Sequence, residues 1–92
     1  MAVKHKFTMI DEIDEIEARL RRDYGVSRCN SYRSLYKRAK SDEYRWSVIE
    51  AMAGLAYTRY GCSGKVAHAA ARRILTSPPE PLEAMGEQKE GT

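Results

Sequence analysis

The sequence contains few of the residues that build disulfide-rich or zinc-binding domains. Its only cysteines, Cys29 and Cys62, are too few for the disulfide framework of a small secreted protein. They share no paired spacing with the histidines, His5 and His68, so we predict no metal site. No apolar segment follows the basic start of the chain, as a secretory signal would require. We therefore expect a cytoplasmic protein with reduced thiols.

Long apolar runs and catalytic motifs are also missing. The most apolar segment, 44–60, is shorter than the ~20 residues of a membrane-spanning helix and includes three charged residues. Residues 61–65, GCSGK, resemble a phosphate loop, but the spacing is short and Val66 replaces the required hydroxyl residue. Ser, Cys and His residues form no triad-like arrangement. These absences predict a non-enzymatic protein without a cofactor or a membrane span.

The sequence does contain helical periodicity over most of its length. It predicts an all-α fold, a small bundle of three to four helices around a central apolar helix at about 43–60. Thr8 and Asp11 form a capping-box pattern, and Ser41 and Ser63 precede later helices. Glycines at 25 and 61 are typical helix stops. The expected helices are about 9–24, 28–40, 43–60 and 64–75.

The central helix has an unusually wide apolar surface. Two neighbouring rows carry it, namely Val48, Met52 and Leu55, and then Trp46, Ile49, Ala53, Ala56 and Tyr60. A helix that is apolar over so much of its circumference is expected to contact neighbours on several sides. Gly54 lies among small residues, which predicts close approach by the fourth helix.

The domain boundary follows from composition. All three prolines and several glutamates lie after residue 76, where the apolar periodicity ends. We therefore predict one helical domain, 1–76, and a disordered Pro/Glu-rich tail, 77–92. The basic segment 1–7 is expected to be a short arm.

Positive charge is concentrated in the second predicted helix. The whole chain has a net charge of +3, but residues 25–40 contain five cations and no acid. Tyrosines lie beside these cations, and Tyr and Arg are frequent at protein interfaces. The candidate partner-binding residues are Arg28, Tyr32, Arg33, Tyr36, Lys37, Arg38 and Lys40. The alternative is a solvated face whose charges pair locally with acids of the first helix.

This surface predicts a small regulatory or adaptor protein that binds a protein partner with an acidic surface, such as a transcription factor or an enzyme that it inhibits. A chain of this length buries a modest core, so a homodimer is a second expectation. The identity of the partner does not follow from the sequence.

The alternative function is a helix-turn-helix-like DNA-binding regulator. Segment 20–36 has the outline of helix, glycine turn and polar helix start, with Arg28, Asn30, Ser31 and Arg33 as residues that could contact DNA. The first half of the preceding helix is acidic, which is unfavourable for such contacts. A second similar turn, within 56–74, is followed by Lys65, His68 and Arg72.

Overall fold

The computed structural model describes residues 8–81, which form three packed α-helices and no strand. The helices are α1 (Met9–Arg38), α2 (Asp42–Tyr60) and α3 (Gly64–Thr76). This confirms the predicted all-α bundle. No helix in the described range is long and apolar enough to cross a membrane. The predicted arm, 1–7, and the predicted tail from 82 onward lie outside the described residues.

The first two predicted helices form the two halves of α1. They join at Gly25, whose φ of 83° and ψ of 164° interrupt the helix. This backbone conformation is essentially restricted to glycine. The chain therefore bends at the predicted stop, but it continues as a helix at once instead of forming a turn of several residues.

The predicted helix caps are present. Asp11 N–H donates to Thr8 Oγ1 at 3.2 Å, and Thr8 N–H donates to Asp11 Oδ2 at 3.1 Å. Ser41 and Ser63 accept backbone N–H groups at the starts of α2 and α3. Gly61 ends α2 in the left-handed conformation at φ 68° and ψ 22°. These local signals explain why all three helices begin, and α2 ends, close to the predicted positions.

The core lies where the three helices meet. Its largest fully buried side chains are Leu20 from α1, Met52 from α2, and Val66 and Ile74 from α3. Buried alanines of α2 and α3 complete the core between these helices. Small side chains allow α3 to pack closely against both neighbours.

Two expectations for α2 are wrong. Trp46 is 48% exposed, because it lies with the exposed Glu50 at the edge of α2, where the His68 ring of α3 covers only part of its surface. Gly54 does not receive a neighbouring helix, since a Cβ placed there would meet no atom within 4 Å. The close approach is instead at Gly64, where a Cβ would lie 3.4 Å from the Tyr57 ring.

Candidate functional site

Arg33 does not lie on the exposed surface where the sequence placed it. Its side chain is only 4% exposed and points toward the end of α3. Its Nε donates to the Ile74 carbonyl at 2.8 Å, and a terminal nitrogen donates to Asn30 Oδ1 at 2.6 Å. The carbonyls of a last helical turn have no intrahelical partner, so Arg33 satisfies one of them. The expectation that Arg33 is an exposed cation is therefore wrong.

The segment after α3 completes this arrangement. The Ser77 hydroxyl accepts a hydrogen bond from Arg33 at 3.3 Å. Glu80 pairs with Arg21 at 2.7 Å, and its carboxylate lies 3.8 Å from Arg33. Asn30 donates to the Glu80 carbonyl and accepts from the Glu80 N–H. Residues 77–80 are thus held against α1, beyond the predicted boundary at residue 76.

Tyr36 and Lys37 line an open cleft of about 530 Å³. The cleft lies between the second half of α1, the first turn of α2 and the chain after α3. Its lining includes the buried Arg33, Arg45 of α2, and Pro78 and Pro79 of the chain after α3. None of the residues that line this cleft is acidic.

Arg45 is the basic residue of this cleft that the sequence reasoning missed. It donates to Asp42 at 2.6 Å and to the Ala39 carbonyl at 3.4 Å. Asp42 is fully exposed, and such a pair contributes little stability in water. The Arg45 guanidinium can therefore exchange this partner for a carboxylate on another molecule.

The remaining predicted partner-binding residues do not all join the cleft. Arg28 and Lys37 are nine residues apart, about two and a half turns, so they lie on opposite sides of α1. Arg28 lies 5.7 Å from the centre of the Tyr24 ring, which packs edge-on against Tyr32. Burial, followed by the proximity of Tyr32, raises the pKa of Tyr24 to about 12. On this side of α1, two tyrosine rings pack together and the Arg28 guanidinium lies over the ring of Tyr24.

Arg38 and Lys40 are exposed near the end of α1 and do not line the cleft. Arg38 donates to the Ser34 carbonyl at 3.4 Å. Neither residue forms a salt bridge with another residue in 8–81. They extend the positive charge beyond the cleft.

The segment predicted to read DNA lies entirely within α1. Gly25 is its only residue with non-helical backbone angles. A helix-turn-helix motif instead has two helices joined by a turn of three to four residues. Asn30 and Arg33 are bonded to the chain after α3. Only Arg28 and Ser31 of the four proposed contact residues remain exposed. The second turn differs, because residues 61–63 form a short connection between α2 and α3.

A second exposed surface lies on α3 beside the start of α2. The rings of Trp46 and His68 stack with centroids 5.0 Å apart and planes 8° apart. His68 Nδ1 donates to the Gly64 carbonyl at 2.8 Å, and Nε2 donates to Glu50 at 3.0 Å. Both oxygens can only accept, so the doubly protonated ring satisfies both contacts.

The charge on His68 follows from these contacts. Burial by itself would lower the pKa of His68, but the hydrogen bonds to Gly64 and Glu50 outweigh it and raise the pKa above its ordinary value. The hydroxyl of Tyr57 lies 3.5 Å from Nδ1. These contacts favour the protonated form of His68 and hold its ring in one orientation against Trp46.

The thiols lie in positions unsuited to nucleophilic chemistry. Cys29 is buried in the core and Cys62 is half-buried. Burial raises the pKa of both thiols, which disfavours the reactive thiolate. Within 8–81, no three His, Cys, Asp or Glu side chains lie close enough together to ligate a metal ion.

The chain matches no protein-family model, no curated protein and no solved structure. The candidate partner-binding residues predicted from the sequence include Tyr36 and Lys37 of the cleft. They do not include Arg45 or the stacked pair of Trp46 and His68. A signal for Trp46 was present, since the residues that follow it at intervals of four are Glu50, Gly54 and Thr58. That row is polar or small, which is typical of an exposed helix face.

Proposed function

We propose that this protein is a non-enzymatic cytoplasmic regulator or adaptor that binds an acidic segment of a protein partner in the cleft beside α1. The observation that carries the proposal is the composition of the cleft. Lys37 and Arg45 line it together with Tyr36, and no acidic side chain lines it. An acidic segment could form ion pairs with these cations. The only ion pair within residues 8–81 that it would displace is the exposed pair between Arg45 and Asp42.

The chemistry of the expected ligand follows from the walls. Lys37 offers a flexible ammonium, whereas Arg45 offers a planar guanidinium suited to a carboxylate. Tyr36, Pro78 and Pro79 add apolar surface beside these charges. The ligand that fits is an extended peptide with two acidic residues near an apolar one. Arg33 lines the cleft, but its side chain is buried and bonded within the bundle, so it is not proposed as a contact for the partner.

A peptide selection tests this function. We expect purified protein to enrich peptides rich in Asp and Glu from a random library, and the Lys37→Glu and Arg45→Glu variants to lose them. Each substitution removes a charge-assisted contact, so the measured affinity should fall about tenfold or more. Glutamate at position 45 lies in the first turn of α2, where an acid is favourable, so this variant should fold.

Arg59→Glu is the matched control. Arg59 is exposed on α2 and does not line the cleft. It changes the net charge of the protein by the same amount, so it should retain binding. Equal binding to all variants, or selection of peptides without acidic residues, would contradict the proposal.

We also propose that the protein forms a homodimer, because a chain of this length buries only a modest core. Light scattering across a concentration series measures self-association directly. A mass of one chain at every concentration would remove the homodimer from consideration and leave the cleft proposal unchanged.

A further inference from the structure

We propose that the surface formed by Trp46, His68 and the exposed face of α3 binds single-stranded nucleic acid by stacking a base on Trp46 and pairing phosphates with Lys65 and Arg72. This surface is distinct from the acidic-peptide cleft, because the two share no lining residue. It forms a shallow groove of about 760 Å³.

Trp46 has the exposure needed for base stacking. Nearly half of its surface is open to solvent, although it is the only tryptophan in the chain. The ring of His68 covers one face in a parallel stack. A nucleobase can extend this stack from the other side, and stacking on aromatic side chains accepts any base.

The support beneath Trp46 is rigid. His68 is held at both ring nitrogens, by the Gly64 carbonyl and by the Glu50 carboxylate. It is therefore fixed before a ligand arrives, which lowers the entropy cost of binding. Glu50 is the acidic group bonded to this surface, and its carboxylate is hydrogen-bonded to His68 at 3.0 Å.

The cations of the groove are suited to phosphates. Lys65 and Arg72 are exposed and form no salt bridge with another described residue. They lie seven residues apart, two turns of α3, so about 10 Å separates them along the helix. Arg73 is already paired with Asp14 at 2.8 Å and with Glu17 at 3.4 Å. The groove thus offers a ring between two available charges.

A protein partner fits this groove less well than a nucleic acid does. Between the two cations, α3 presents only the small side chain of Ala69 beside the rings. The groove therefore lacks a deep apolar pocket for an anchoring side chain, which tight protein interfaces commonly use. A flat base and a flexible phosphate backbone require only a stacking surface and charges along it.

Titration of a single-stranded 12-nucleotide DNA while the intrinsic fluorescence is recorded tests the proposal. Because Trp46 is the only tryptophan, its quenching reports on this groove directly. Two phosphate contacts predict that the affinity falls about sevenfold between 50 and 200 mM salt. No binding of the oligonucleotide at 50 mM salt, or binding without any quenching, would overturn the proposal.

Variants separate stacking from charge attraction, with a fluorescein-labelled oligonucleotide and anisotropy as the readout. Trp46→Leu keeps apolar area but loses the ring, so its affinity should fall at least about fivefold, whereas Trp46→Phe should retain most of the affinity. Lys65→Glu and Arg72→Glu should each weaken binding and reduce the salt dependence. Arg59→Glu makes the same charge change away from the groove and should bind like the wild type.

Two results would contradict the assignment even if DNA binds. Equal binding by Trp46→Leu and Trp46→Phe would show that no base stacks on the ring. A duplex of the same sequence that binds as tightly as the single strand would also overturn the stacking, because its bases are already stacked on each other. Circular dichroism of each variant checks that the helices remain intact.

Discussion

Arg33 is the one charged residue in the described chain that is buried. It is buried where α1, the end of α3 and the following segment meet, and its hydrogen bonds join all three. A buried guanidinium is stable only when such partners replace its water. Arg33 therefore stabilises the bundle. Because Arg33 also lines the cleft, a change that disrupts its hydrogen bonds should alter the shape of the proposed site as well.

We predict that Arg33→Met lowers the free energy of unfolding by about 2–4 kcal/mol, because the charge-assisted hydrogen bonds to the Ile74 carbonyl, Asn30 and Ser77 are lost. Urea denaturation followed by circular dichroism measures this difference. Arg38→Met is the matched control, since Arg38 is exposed, and it should change stability by less than about 0.5 kcal/mol. Similar values for both variants would show that the hydrogen bonds of Arg33 contribute little.

His68 predicts how stability changes with pH. Its pKa is raised in the folded protein, so its contribution is fully present below the unfolded value of about 6.5 and is lost as the pH rises through the folded pKa. The groups that face it are Glu50 and Tyr57 from α2 and Arg72 on α3. Protonation favours the contact with Glu50 and is opposed by Arg72.

We therefore expect the free energy of unfolding to be higher at pH 6 than at pH 8, and His68→Gln to reduce that difference. Glutamine cannot gain a proton, so any pH dependence that remains comes from other groups. Urea denaturation at both pH values provides the measurement. A pH dependence that is unchanged in His68→Gln would contradict this role.

Within the helices, two glycines have opposite effects. Gly25 has a φ of 83° and a ψ of 164°, where a side chain is strained whatever space surrounds it. Gly54 lies inside α2 with helical backbone, and a Cβ there would meet no neighbouring atom. The bend in α1 therefore depends on Gly25, whereas the fold does not require Gly54.

Alanine substitutions should consequently change stability in opposite directions. Gly25→Ala should lower the free energy of unfolding by about 1–3 kcal/mol, because its conformation excludes other residues. Gly54→Ala should raise it by about 0.5–1 kcal/mol, because alanine loses less entropy in a helix. Thermal unfolding of both variants beside the wild type compares the two effects. Destabilisation by Gly54→Ala would indicate that the row of Trp46 and Gly54 is covered by another molecule.

For the whole molecule, the described chain is closed by the segment after α3. Arg21, Asn30 and Arg33 bind Ser77 and Glu80, which links the interior of α1 to the segment after α3. The same contacts place Pro78 and Pro79 at the wall of the cleft. The bundle and the proposed site therefore share this closing segment.

A chain that ends at Thr76 should be less stable than one that ends at Pro81. The shorter chain loses the bonds to Ser77 and Glu80, so we expect its free energy of unfolding to be about 2–3 kcal/mol lower. Both proteins lack residues 82–92, so the comparison isolates the segment 77–81. Equal urea midpoints would show that the helical domain is complete at residue 76, as the sequence predicted.

Local chemistry was sufficient to determine where the helices of this protein begin and where α2 ends. The Thr8 capping box, the serines before α2 and α3, and Gly61 act on backbone groups a few residues away, so their effects can be read without knowledge of the fold. The apolar periodicity likewise identified the core residues of the central helix, including Ile49 and Met52. The concentration of positive charge in 25–40 was also visible, and it placed Tyr36 and Lys37 in the candidate surface.

Only the tertiary structure decided which of these charges are available. Arg33 and Lys37 are both cations on one helix, but Arg33 meets the end of α3 from a distant part of the sequence and is buried there. Arg45 joins Lys37 in one cleft because α2 packs against α1, and Trp46 stacks on His68 because α2 packs against α3. Such contacts depend on how helices pack, which periodicity within a single helix does not specify.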